Sequence, residues 1–213
     1  GEKCGWFGLF EVLPDYEVAA GLLSTARDWV KARGMEVFRG PVNLSTNYEY
    51  ALLVEGFDSP PVILMTYNPR YYVDYIERFG FRKARDLYAY MADWSFYGGG
   101  LHGLPEKLFR VAEMVRRRGE IRLRHGRIKD LDNEIKKVKK VYNSAWQKLW
   151  GFVPLTDAEF DYIAEGLRHI LDEDLVLFAE VDGEPVGFSL ALPDINQVLR
   201  HIRDGRLFPF GIF

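Results

Sequence analysis

The chain has 213 residues, 48% apolar, 15% aromatic and 28% charged, with a formal net charge of −3. That balance supplies enough Leu, Val, Phe and Tyr for a packed core and excludes wholesale disorder. No apolar run reaches the roughly 20 residues of a membrane-crossing helix, so a cytoplasmic protein with no membrane partner is the expectation. One cysteine, Cys4, can neither close an internal disulfide nor complete a thiolate metal site. Position 1 is Gly and residues 207–213 read Leu-Phe-Pro-Phe-Gly-Ile-Phe. Chain termini are more often polar, and a fragment cut at both ends is expected.

In chain order, residues 6–12 are aromatic and apolar and predict a buried strand. Asp15 predicts the cap of a helix with Val18, Leu22, Leu23, Ala26, Trp29 and Val30 inward and Gly34 at its end. Residues 35–39 predict a second strand, parallel to the first because a helix separates them. Residues 40–61 are rich in turn formers and short polar side chains. Residues 62–66 return to strand character, Asn68-Pro69 opens a helix that Gly80 ends, and residues 81–90 predict another strand.

Tyr-Gly-Gly-Gly-Leu-His-Gly at 97–103 breaks regular structure and predicts a flexible joint. Beyond it come a basic helix at 105–118, a short strand at 121–124 and an amphipathic helix at 130–149. The inward stripe of that last helix is Leu131, Ile135, Val138, Val141, Tyr142, Ala145, Trp146 and Leu149. Thr156 with Glu159 forms a capping box for a helix to about 171. Asp182-Gly183 then turns a hairpin over 175–191, and a short helix at 195–202 precedes the tail.

Charge is uneven along this path. Residues 1–105 carry −3, residues 106–150 carry +8, and residues 151–213 carry −8. The basic belt over 107–140 could attract phosphates. The simpler reading is a solvated face paired with the acidic C-terminal block, since no nucleic-acid-reading motif accompanies it. His102, His125, His169 and His201 lack metal-ligand spacing, and no metal is expected. No Gly-x-Ser-x-Gly elbow is present.

A strand, two helices and the hairpin Leu-Phe-Ala-Glu-Val-Asp-Gly-Glu-Pro-Val-Gly-Phe over 121–191 resemble the opening of the Gcn5-related N-acetyltransferase superfamily. The first half resembles the closing part of the same fold, through its strand-helix-strand unit, Asn68, Tyr75 and Gly80-Phe81. More narrowly, Gly-Pro-Val-Asn-Leu-Ser-Thr-Asn at 40–47, Gly-Phe-Asp-Ser-Pro-Pro at 56–61 and Tyr-Asn-Pro-Arg-Tyr-Tyr at 67–72 are similar to bacterial acetyltransferase-like proteins with two such domains in tandem.

The resemblance implies an α/β (α+β) fold: a mixed, mostly antiparallel sheet flanked by helices, composed of two half-domains. Residues 1–96 would be the late half of one domain, 97–119 a joint and basic helix, and 120–213 the early half of the next. The two sets of strands are expected to pair, within one chain or across a homodimer formed by half-domain exchange.

The implied activity is acyl transfer from acetyl-CoA or another acyl-CoA to a small amine or amino-acid-like acceptor. Such chemistry needs helix N-terminal amides for the pyrophosphate and a base for the ammonium. The resemblance makes Tyr75 the acid that protonates the leaving thiolate, although counting back from Gly80 places Ile76 there. Asn68 would be a cofactor contact. Glu49, ahead of Glu55 and Asp58, is the candidate base, and Asn43, Ser45 and Asn47 either contact substrate or bond the loop to itself. Leu-Pro-Asp-Tyr-Glu at 13–17 stands where the superfamily has a basic, glycine-containing pyrophosphate loop, and departs from it. A non-catalytic binding or scaffolding module is the alternative, with nucleic-acid association through the belt a further one.

Overall fold

A computed structural model describes residues 2–119, 121–202 and 206. The apolar tail at 207–213 lies outside the described residues. The chain is a mixture of helices and strands that divides into two compact units. Unit 1 comprises residues 1–82, 143–163 and 193–213, and unit 2 comprises 83–142 and 164–192. Neither unit is one consecutive stretch. No described helix is long and apolar enough to cross a membrane.

In unit 1, β1 (Cys4–Trp6) pairs in parallel with β2 (Val37–Arg39), Gly5 lying opposite Phe38. The crossover is α1 (Tyr16–Lys31), capped by Asp15, whose Oδ1 accepts from the amides of Glu17 at 2.9 Å and Val18 at 3.4 Å. The expected β-α-β unit is present, but with different detail. α1 buries Ala19, Leu23 and Val30 and leaves Val18, Leu22 and Trp29 exposed. Leu23 and Val30 of the expected stripe are thus buried, and with Ala19 they centre the buried face at one edge of that stripe, turned from its middle by about 50°. Cys4 sits half-buried in β1, and burial pushes its thiol pKa up, against the pull of Arg39.

The strand expected over 6–12 ends at Trp6. Leu9 takes a φ of 51°, a left-handed conformation that breaks an extended run. The strands expected at 62–66 and 81–90 are absent. Residues 62–66 contain a turn, with Leu64 at φ 63°, and residues 81–90 run without a ladder partner among the described residues. α2 (Tyr71–Phe79) starts two residues later than Asn68-Pro69 suggested and ends at Gly80 as expected, burying Tyr72 and Ile76. Phe7, Phe38 and Phe81, each half-buried, form an aromatic cluster with ring centroids 5.0–5.3 Å apart.

In unit 2, β3 (Ile121–His125), β4 (Val176–Val181) and β5 (Glu184–Leu190) form an antiparallel sheet in the order β3-β4-β5. Asp182 and Gly183, at φ 52° and 80°, make the expected hairpin turn. The register shifts at Ala179/Glu180, opposite Pro185, which has no N–H to give the ladder. Among the described residues, this sheet and the β1-β2 pair are separate, so the strands of one chain do not join into the composite sheet expected.

The remaining helices are α3 (Glu106–Arg118), α4 (Leu131–Trp146), α5 (Asp157–Leu167) and α6 (Asn196–Leu199). α4 buries Val141 but also Glu134, and it exposes Trp146, so only part of the expected stripe faces inward. The capping box of α5 is closed. Thr156 donates from its amide and hydroxyl to Glu159 Oε2 at 2.8 and 2.7 Å, and the Glu159 amide returns a bond to the Thr156 hydroxyl at 3.3 Å.

Candidate functional site

In unit 1 the two parallel strands continue past their regular pairing and are then bridged by side chains. The Phe7 amide donates to Arg39 at 3.0 Å and the Val42 amide to Phe7 at 2.7 Å. Gly8 lies against the Val42 carbonyl so closely that a Cβ there would overlap it. One residue on, Asn43 Oδ1 accepts from the Leu9 amide at 2.7 Å, replacing the backbone partner that the turning chain removes.

The polar loop is held the same way throughout. The Ser45 hydroxyl accepts from the Asn47 amide and from Asn47 Nδ2, both at 3.2 Å, and Asn47 Nδ2 also donates to Val153 at 2.7 Å. Thr46 donates to the Gly151 carbonyl, and Asn196 to that of Pro61. Asn68, 5% exposed, is a clamp. Its Oδ1 accepts from the Leu53 amide at 2.7 Å and its Nδ2 donates to the carbonyls of Pro69 and Leu53 at 3.0 and 3.4 Å. Backbone groups without a ladder partner need such bonds, and the carboxamides of Asn43, Asn47 and Asn68 supply them, as acceptor, donor and both.

Beside residues 10–12, α2 places three tyrosines with different duties. Tyr71 donates to the Val12 carbonyl at 2.8 Å. Tyr72 donates to Glu11 Oε2 at 2.8 Å and accepts from the Val12 amide at 3.0 Å. Burial raises the Tyr72 phenol pKa; the Val12 amide opposes this and the Glu11 carboxylate adds to it. Tyr75 makes ring contacts with Tyr71 at 5.2 Å and Tyr16 at 5.6 Å, and its hydroxyl has no hydrogen-bond partner among the described residues.

Tyr75 thus differs from Tyr71 and Tyr72 in making ring contacts and no hydroxyl bond among the described residues. Glu49 is exposed, and its backbone carbonyl, not its carboxylate, holds Asn43. Glu55 is exposed, and Asp58 stands 3.7 Å from Arg70 at the surface. No hydrogen bond or ion pair joins Tyr75 to Glu49 among the described residues. Sequence reasoning missed the Glu11–Tyr72 pair, because a buried tyrosine four residues before a buried Ile76 reads as packing alone.

The N-terminus of α1 does not suit the pyrophosphate of a coenzyme A. The Asp15 carboxylate already takes the amides of Glu17 and Val18, Pro14 has none to give, and Asp15 and Glu17 would repel the phosphates at short range. Among the described residues, no group of three or more His, Cys, Asp and Glu side chains is placed to hold a metal ion.

Unit 2 holds a buried charge cluster that sequence reading did not single out. Arg124 Nε donates to Glu180 Oε1 at 2.6 Å and Nη1 to Glu134 Oε2 at 2.8 Å, with the Arg124, Glu134 and Glu180 side chains 12, 6 and 12% exposed. Lys137 adds a bond to Glu134 Oε1 at 3.0 Å. The guanidinium lies 4.4 Å over the ring of Phe178, which is fully buried, a cation–π placement. Burial works against its charge, but the two carboxylates outweigh that and raise its pKa, while Arg124 holds the Glu180 carboxyl below the usual range. Lys140 pairs with Glu184 and Arg117 with Glu113. Several belt cations are therefore balanced within the unit, two of them, Arg124 and Lys140, by carboxylates of the acidic C-terminal block.

No family model matches the chain, and no solved structure matches it. Two curated relatives do. A bacterial ceramide synthase of Caulobacter vibrioides is 37% identical over 214 residues, covering 99% of this chain and 53% of that protein. Protein YghO of Escherichia coli is 34% identical over 212 residues, covering 99% of this chain and 52% of that protein. The chain spans about half the length of the curated relatives it matches.

Proposed function

We propose that this chain is part of an N-acyltransferase, which draws an acyl group from a coenzyme A thioester and forms an amide on a long-chain amine. The observation that carries this reading is similarity along 99% of the chain to a protein named for making ceramide, a fatty amide. The resemblance of most of residues 5–92 and 120–213 to the Gcn5-related superfamily supports the same chemistry. On this reading β1 and β2 are the late parallel strands of one transferase domain and β3, β4 and β5 the early strands of another. Pairing between two copies would complete each sheet.

Tyr75 is the proposed proton donor and Glu49 the proposed base for the ammonium, which must be neutral to attack. Asn43, Ser45 and Asn47 serve by fixing the loop that carries Glu49. Asn68 serves by fixing its far end. Because the N-terminus of α1 is closed to a pyrophosphate, no step is assigned to that helix.

The same closure favours a second reading, a non-catalytic module that serves a partner domain. Mixing the chain with a fatty acyl-CoA and a sphingoid base separates the two. Amide detected by mass spectrometry, with thiol released in equal amount, supports the enzyme. Tyr75→Phe keeps the ring contacts and removes the proton, and is expected to lower kcat about 100-fold with KM little changed. Neither amide formation nor calorimetric heat at millimolar acyl-CoA supports the module instead.

A further inference from the structure

Every residue of α3 whose side chain is described is exposed. At about 100° per residue, Val111, Val115 and Leu108 fall within roughly 60° of one another, and Ala112 extends the stripe. They are 40, 41 and 54% exposed. Lys107 borders the stripe on one side and Arg116 on the other. The acids, Glu106 and Glu113, lie on the opposite face together with Arg110 and Arg117, and Glu113 pairs with Arg117 at 3.2 Å. Met114 and Phe109, 45 and 49% exposed, lie just outside Lys107 and Arg116. The apolar half of the helix therefore carries cations as its charges, and the acids are confined to the far face with two arginines.

We propose that α3 is an interfacial helix that lies flat on an anionic lipid surface, with Val111, Val115 and Leu108 in the acyl boundary and Lys107 and Arg116 at the headgroups. An amphipathic helix with a low overall hydrophobicity and basic margins has the character of such elements, and long basic side chains can keep their charge at the headgroup level while their stems lie on apolar surface. Complementary charge selects this occupant. α3 itself carries five Lys and Arg against two Glu, +3 in a chain of net −3, and it would be attracted to the negative leaflet. A second copy laid face to face would set Lys107 and Arg116 against basic margins of its own kind. A nucleic acid would use the cations and leave the apolar stripe wet. The helix rests on the surface and does not span it, in keeping with the absence of a membrane-crossing helix among the described residues. The inference stands apart from the acyltransferase reading, and either can fail without the other.

The test is sedimentation of the 213-residue chain with vesicles of phosphatidylcholine alone or with about one third phosphatidylglycerol. Binding to the anionic vesicles is expected to be at least about tenfold tighter and to weaken with salt. Leu108→Glu and the double change Lys107→Glu with Arg116→Glu are expected to abolish it, whereas Glu113→Gln on the far face retains it. These positions are exposed, so the fold is not at stake. As a second measurement, a fluorophore on Val111→Cys in a Cys4→Ser background is expected to shift to the blue with vesicles, and one on Arg117→Cys is not. The proposal is overturned by equal binding to both vesicle types or to neither. It is also overturned by equal shifts from both labels, or by a dimer in light scattering that Leu108→Glu dissolves.

Discussion

Arg124→Met is expected to destabilise unit 2 by about 3 kcal/mol at neutral pH, the low end of the cost of stranding buried charge. The replacement keeps bulk and removes the guanidinium between Glu134 and Glu180. Lys137, at 3.0 Å, still serves one oxygen of Glu134, and Glu180 loses its nearest cation. The sign of the pH dependence separates lost charge from lost packing. In the native chain Arg124 holds the folded-state pKa of Glu180 below its unfolded value. That stabilisation is complete above the ordinary carboxylate pKa and disappears as pH falls through the lowered one. In the variant Glu180 is buried without that cation and its lowered pKa is lost. The penalty of its buried charge then grows as pH climbs above the ordinary carboxylate value. Denaturant titrations of both proteins should therefore show a smaller gap near pH 4 than near pH 7. An unchanged gap would mean that Arg124 contributes only its packing over Phe178.

Gly8→Ala is expected to cost about 3 kcal/mol or more, because the added methyl meets the Val42 carbonyl oxygen and carbon, which are backbone, and overpacking against backbone cannot be relieved by a rotamer change. The chain must instead part where residues 7–9 lie beside 39–43, which loosens the Leu9 bond to Asn43. A drop in unfolding midpoint should come with faster hydrogen exchange at the Leu9 and Val42 amides. Gly21→Ala is the control of opposite sign. Gly21 lies within α1 with open space around its Cβ position, so alanine should stabilise by about 0.5–1 kcal/mol through helix propensity alone. Equal effects at the two glycines would refute the close-approach account of Gly8.

The parts of the fold legible in the sequence are those fixed within a few residues. Asp15 caps α1, Gly80 ends α2, Thr156 and Glu159 close their box, and Asp182-Gly183 turns the hairpin, because each rests on a local dihedral or a bond across three or four positions. Residues 62–66 and 81–90 have strand-like composition, but a strand exists only where a neighbour accepts its hydrogen bonds, and composition does not name the neighbour.

The site divides similarly. Asn43, Ser45 and Asn47 were recognisable as loop-forming or ligand-contacting, and the distances give each a loop-holding bond. The Arg124 cluster was hidden because its members are 10 and 56 positions apart. Glu134 looks like one more solvated charge in a lysine-rich helix. Tyr75 was marked by resemblance alone; its distinction from Tyr71 and Tyr72 lies in where their hydroxyls point.

Cys4 gives the parallel pair a chemical clock. The sulfur is the only thiol in the chain, and it sits in β1 opposite Val37 with its ionisation suppressed by the packing around it. Since only the thiolate reacts appreciably with alkylating reagents, modification is slow while β1 stays seated and quickens when it lifts. The rate at which iodoacetamide consumes this sulfur therefore reports how firmly β1 is seated on β2.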